Sequence, residues 1–253
     1  MPQPSPNPRI RLEIVHEDPR IVVANKAPGL VTEPGKSHGG DSLLNALVAR
    51  FGGKLLQLGE RRDYGLLHRL DRQTSGCVAC ALDPEAYDHV RAQFEARSVE
   101  KTYLAILKGR MRAGRQTIDR NLEERRVPSS EGTRLVSVVA KEGKPARTDV
   151  EVLATSTTHT LVACRPHSGR LHQIRVHMAH LGFPVAGDPL YAAGARICPT
   201  GKSDDRTLGL HAWRLSFDHP SGGRVDAVAP PSRRFLELAR ETGISHGSLS
   251  GSP

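Results

Sequence analysis

The chain has 253 residues, 38% of them apolar and 25% charged, and no apolar stretch approaches the roughly 18–20 residues of a membrane span. That balance excludes a membrane-helix protein, a fibrous repeat and a disordered chain, and leaves a soluble fold long enough to bury its own core. Lys and Arg total 36 against 27 acidic residues, a net +9 that turns attention to an anionic partner, nucleic acid foremost.

In chain order, strands are expected at 11–16, 21–25, 77–82, 102–107, 148–154, 160–165, 208–217 and 224–228, where Val, Ile and Thr gather in short apolar runs. The first two are joined by Glu17-Asp18-Pro19-Arg20, a turn sequence. Leu43, Leu44, Leu47 and Val48 recur at helical spacing over 42–51, with Asp41 as the cap. Asp83-Pro84-Glu85 opens a second helix, and 171–181 and 232–241 supply two more. Residues 110–144 are polar and poorly periodic, and read as a long insertion or a pair of solvent-facing hairpins. Strands and hairpins predominate, so the fold class is α+β, a mainly antiparallel mixed sheet with flanking helices. Residues 1–9 and 243–253 read as loose tails around a folded domain spanning 10–242.

Two phosphate-loop lookalikes, Gly35-Lys36-Ser37 and Gly201-Lys202-Ser203, fail because Leu30 and Arg196 stand where the motif needs glycine. No nucleotide cofactor is therefore expected. Four cysteines, with no secretory leader ahead of them, read as reduced thiols of a cytoplasmic protein. Cys77 and Cys80 would face opposite sides of a strand and have no second pair to complete a zinc site. His167, His172, His177 and His180 raise the alternative of a zinc-dependent hydrolase, but their spacing is poor for shared ligation, and no metal is expected.

The segment Leu67-His68-Arg69-Leu70-Asp71-Arg72-Gln73-Thr74-Ser75-Gly76 sets a carboxylate between two arginines, ahead of a buried strand. Physics alone allows a loop ion pair, or an acid held ionised by its neighbours and able to act as nucleophile or base. Its H-R-L-D-x-x-T-S-G pattern resembles the signature of the RluA family of RNA pseudouridine synthases. Three further segments resemble the family's in the same order: Asn25-Lys26-Ala27-Pro28-Gly29-Leu30, Glu100-Lys101-Thr102-Tyr103-Leu104-Ala105, and Ser168 to His177 (S-G-R-L-H-Q-I-R-V-H), followed by Gly187-Asp188-Pro189-Leu190-Tyr191. Together they span roughly residues 10–241. Ala27 stands where the family usually has proline, and Glu33 where it often has histidine. The small basic domain that many members carry in front is expected to be absent, with recognition left to the catalytic domain.

The resemblance implies the pseudouridine synthase catalytic fold and isomerisation of uridine to pseudouridine in ribosomal or transfer RNA, with no cofactor. It makes Asp71 the catalytic carboxylate, Arg175 its partner and Tyr103 the ring beside the uracil. Arg69 would fill the space a flipped base vacates. His68, Arg170 and His172 would serve the substrate site, His68 chiefly by supporting the loop. A monomer is expected. The competing class is a catalytically inactive RNA-binding protein or RNA chaperone, against which the intact Asp71, Tyr103 and Arg175 argue.

Overall fold

In the computed structural model, which describes residues 3–35, 39–129, 132–198 and 207–245, the chain opens with a hairpin that Asp18 builds. Strands β1 (Ile14–Glu17) and β2 (Ile21–Lys26) pair antiparallel, and the Asp18 carboxylate accepts from the N–H groups of Arg20 and Ile21 at 2.8 and 2.9 Å. Helix α1 (Leu43–Phe51) is capped by Ser42 rather than by the expected Asp41. The reason is a reciprocal box: Ser42 N–H donates to the Asn45 side chain, and Asn45 N–H to the Ser42 hydroxyl. A short helix α2 (Gly53–Leu58) and a 3₁₀ turn (Glu60–Gly65), neither anticipated, lead to β3 (Ser75–Ala81). Asp83 caps α3 (Pro84–Ala96), as its Asp-Pro-Glu start predicts.

There follow β4 (Glu100–Lys108), β5 (Arg115–Asp119), β6 (Leu122–Ser129), β7 (Gly132–Val139), β8 (Arg147–Thr155) and β9 (His159–Pro166). Helix α4 (Gln173–His180) starts two residues after the predicted 171, because His172 adopts left-handed backbone (φ 54°) and stands as its N-cap. The chain closes with β10 (Tyr191–Ala192), β11 (Arg196–Ile197), β12 (Leu210–Asp218), β13 (Arg224–Val228) and α5 (Arg233–Glu241). Lys36 and Ser37, the whole Gly201-Lys202-Ser203 sequence, and the C-terminal stretch from His246 lie outside the described residues. No described helix is long and apolar enough to cross a membrane.

The chain folds as two compact units, Met1–Lys101 with Ala212–Ser232, and Thr102–His211 with Arg233–Pro253. In the first, β1, β2, β3 and β12 are neighbours in that order, and β13 pairs with β12. Strands β2 and β3 are buried along nearly their whole length, which is why they read as continuous apolar runs without alternation. Gly76, in β3, has φ 114°, and a Cβ there would lie 2.1 Å from the Ala212 carbonyl oxygen on β12. Only glycine permits that approach. In the stretch expected to be loose, Asn7 N–H donates to Asn45 O at 3.0 Å, and the Asn45 amide donates to Ser5 O at 2.6 Å.

In the second unit β4, β9, β8 and β5 lie side by side, each pair antiparallel. Ala105, Leu107, Val150 and Val162 of these strands share a buried cluster with Ile174 and Met178 of α4. Residues 110–144 supply the edge strand β5 and the hairpin β6–β7, whose Leu122 and Val136 pack with Val176 and Ala179 of α4. Strands predominate and their pairings are mainly antiparallel, so the α+β class read from the sequence holds.

Candidate active site

The loop that carries Asp71 is gripped on both sides of the carboxylate. Before it, the Thr32 hydroxyl accepts from Leu70 N–H at 3.1 Å and donates to Leu70 O at 3.0 Å, with Thr32 buried. After it, Gly29 N–H donates to Arg72 O at 2.9 Å, and Arg72 Nε donates back to Gly29 O at 3.0 Å. Thr74 N–H closes on Asp71 O at 3.1 Å, turning the chain into β3.

Lys26 completes this mount. Its side chain is fully buried at the end of β2, and its Nζ donates to the carbonyls of Ala27, Leu30 and Arg72 at 3.0, 2.7 and 3.1 Å. Three acceptors match the three donors of an ammonium. Burial pushes the Lys26 pKa down to about 7, while the negative charge of Asp71 pulls it back up. The lysine and the carboxylate are thus electrostatic neighbours. The sequence segment Asn25 to Leu30 contains Lys26, yet no role was assigned to it. The signal was there: a lysine closing the apolar run Ile21-Val22-Val23-Ala24, where a lysine is almost never buried without partners.

His68 turns toward the interior of the same loop. Its Nε2 accepts from Ala79 N–H at 3.0 Å, and its ring stacks on Phe94 with centroids 5.0 Å apart. An accepting Nε2 assigns the proton to Nδ1, and burial pushes the pKa down to about 3, with the Lys101 charge adding to it. Arg69 is different. Its side chain is 72% exposed and ion-paired with Glu33.

In the second unit, Tyr103 lies on β4 opposite Cys164 of β9 and packs partly buried against the core. The segment from Ser168 to His177 is bonded throughout. Gln173 accepts from the Ser168 hydroxyl (2.7 Å) and Arg170 N–H (3.1 Å), and donates to Arg147 O and the Thr148 hydroxyl, both at 3.0 Å. Arg170 Nε reaches Pro145 O at 3.4 Å. His172 Nδ1 meets the Tyr191 hydroxyl at 2.9 Å. His177 bridges the Thr148 hydroxyl and Arg120 O at 2.9 and 3.1 Å, and burial lowers its pKa. His167 pairs with Asp149 at 2.6 Å. Cys77 and Cys80 send their thiols to opposite sides of β3, toward Trp213 O and Tyr64 O.

Arg175 sits on α4 with its side chain 8% exposed, against an Asp188 carboxylate that is wholly buried. Nε donates to one Asp188 oxygen at 2.7 Å and Nη2 to the other at 2.9 Å. That forked edge of the guanidinium therefore belongs to Asp188. The Tyr191 ring lies beneath it, its centroid 5.2 Å from Cζ. Both Asp188 and Tyr191 fall in the quoted Gly187-Asp188-Pro189-Leu190-Tyr191 segment, but neither was singled out. The first unit thus carries Asp71, Arg69 and His68 with Lys26, and the second Tyr103, Arg170, His172 and Arg175 with Asp188.

A model of the RNA pseudouridylate synthase family matches residues 20–180. The chain belongs to this family. Among pseudouridine synthases it is 35% identical, over 257 aligned positions, to the ribosomal large subunit pseudouridine synthase D of Nitrosomonas europaea, covering 95% of this chain and 68% of that one. It is 37% identical to the protein of the same name from Pseudomonas aeruginosa, covering 90% of this chain and 71% of that one. Of solved pseudouridine synthases, human RNA Pseudouridylate Synthase Domain Containing 4 aligns with a TM-score of 0.67 at 25% identity, over 91% of this chain and 93% of that one. Human RNA Pseudouridylate Synthase Domain Containing 1 shares the fold, with a TM-score of 0.64 at 24% identity over 95% and 98%. The RluA-type resemblance of the four segments is borne out, and with it an RNA pseudouridine synthase, an isomerase acting on RNA.

Proposed function

We propose that this chain converts specific uridines of large-subunit ribosomal RNA to pseudouridine, with Asp71 as the catalytic carboxylate. The observation that carries the reading is the mount of Asp71: backbone clamps on Leu70 and Arg72, and a buried ammonium beside it. A positive charge nearby favours the ionised form of a carboxylate, the form that a nucleophile or base requires. The ribosomal substrate follows the names of the relatives.

The reaction breaks the glycosidic bond, turns the uracil and joins its carbon to the ribose. Asp71 begins it by attack on the nucleoside or by removing a sugar proton; slowing by a heavier hydrogen at the ribose C2′ would select the second. Tyr103 stacks on the uracil and its phenol moves a proton in the closing rearrangement. Arg175, its fork on Asp188, serves as the partner that orients Asp71. Arg69 leaves Glu33 to occupy the gap left by the flipped uridine, since a base must leave its stack before this chemistry. Arg170 and His172 contact the substrate, and His68 keeps the loop in shape. The catalytic domain spans 10–242, both units included, and works as a cytoplasmic monomer without cofactor.

The test is pseudouridine mapping of ribosomal and transfer RNA from cells with and without the gene. One ribosomal uridine should lose its modification, regained with wild type and not with Asp71→Asn, which should still bind the RNA. Restoration by Asp71→Asn would remove Asp71 from its role. A lost site in transfer RNA would move the substrate there, and no lost site would favour an RNA-binding protein without catalysis.

A further inference from the structure

The hairpin β6–β7 has no part in the chemistry above, yet one side chain ties it to the segment that has. Tyr191 is 3% exposed and shares a buried cluster with Leu122 and Val136 of the hairpin and Val176 and Ala179 of α4. Its hydroxyl accepts from Ser137 N–H at 2.9 Å. In the ladder Ser137 stands opposite Glu124 of β6, but its N–H is spent on Tyr191. The same hydroxyl meets His172 Nδ1, and the same ring lies under the Arg175 guanidinium. Asp188 closes the arrangement: besides holding Arg175, its Oδ1 accepts from Leu190 N–H at 2.9 Å and Tyr191 N–H at 3.2 Å. The phenol is thus a single piece touching the hairpin backbone, His172 of the site segment and Arg175, the residue proposed above as the partner of Asp71.

The far side of the hairpin looks outward. Arg126 is exposed there opposite Leu135, which is 43% exposed, while the exposed Arg125 on the neighbouring face is paired with Glu123 at 2.9 Å, and the chain as a whole carries a net +9. That surface suits the phosphate backbone of RNA. We infer that Tyr191 is a positioning residue that couples the hairpin β6–β7 to Arg175, so that RNA held on the hairpin steadies the guanidinium at the reaction centre. The inference rests on the role given to Arg175 above. A ring fixed between two elements transmits displacement because packed interiors deform in steps and not continuously.

The experiment is a cycle of variants assayed for pseudouridine formation on a large-subunit ribosomal RNA fragment, with kcat and KM measured separately. Tyr191→Phe removes the hydroxyl but keeps the ring under Arg175. It should lower kcat about tenfold and leave KM within about twofold, the mark of lost orientation without lost binding. Ser137→Pro removes the same hydrogen bond from the hairpin side and should reproduce the kcat loss. Arg125→Glu with Arg126→Glu should raise KM and also lower kcat. Adding Tyr191→Phe to that pair should lower kcat no further, because both act through one route. Losses in kcat that multiply, or a Tyr191→Phe enzyme with wild-type kcat, overturn the coupling alone. Wild type that forms no pseudouridine in ribosomal RNA overturns the reading beneath it, and the coupling falls with it.

Discussion

Replacing His68 by glutamine should make the protein less sensitive to acid. In the folded chain the His68 Nε2 accepts from Ala79 N–H, and the pKa is pushed down to about 3. An unfolded histidine titrates near 6.5. Below that pH the unfolded state takes up a proton that the folded state refuses, so stability falls as pH falls toward about 3. Between pH 6.5 and 5 the loss is about 2 kcal/mol at about 1.4 kcal/mol per unit, and about 1–2 kcal/mol once the partly exposed ring is discounted for solvent. Glutamine keeps an acceptor for Ala79 N–H and does not titrate. Urea unfolding of wild type and His68→Gln at pH 7.5 and 5.0 isolates the term, since the other histidines are common to both. The variant should start less stable, having lost the stack on Phe94, and close the gap by about 1–2 kcal/mol at pH 5.0. Parallel curves, within about 0.5 kcal/mol at both pH values, would refute the assignment of a neutral, accepting His68.

Lys26→Met should cost about 3 kcal/mol in urea unfolding at pH 7, because it leaves three buried carbonyls without their donor. The Lys26 pKa of about 7 lies below the unfolded value, so the folded state sheds its proton first as pH rises. Wild type should therefore gain about 2 kcal/mol over Lys26→Met between pH 7 and 9, and a pH-independent difference would show that the amine does not titrate there. Gly76→Ala should destabilise by about 3 kcal/mol or more in thermal unfolding, since neither the φ of 114° nor the 2.1 Å approach to Ala212 O accepts a Cβ. A melting temperature within two or three degrees of wild type would mean that β12 can shift away, given the usual dependence of melting on stability.

The fold was legible where burial is one-sided or complete. The apolar runs of β2, β3 and β9 and the Asp-Pro-Glu start of α3 announce themselves within a few residues. Strands β5 to β7 did not, because their outward positions hold Arg and Glu on both flanks and the alternation is diluted. The cap of α1 was misplaced by one residue because the sequence offers two cap formers in a row, and only the partner Asn45 chooses between them. In the site, the motif residues are visible one by one, but what holds them is not. Asp188 stands thirteen positions from Arg175 and Thr32 thirty-eight from Leu70, distances across which no periodicity runs. Lys26 could be read only by noticing that its company is apolar.

The clamps on the Asp71 loop nearly all take hold of main-chain atoms: Leu70 N–H and O, Arg72 O, Gly29 N–H and O. A mount of this kind is indifferent to which side chains ride on it. Position 69, exposed and bonded among the described residues through its guanidinium to Glu33, can change identity without disturbing the carboxylate two residues on. On the roles proposed for Arg69 and Asp71, substrate preference and catalytic geometry fall on separate atoms of the same loop, and selection could retune the first while leaving the second untouched.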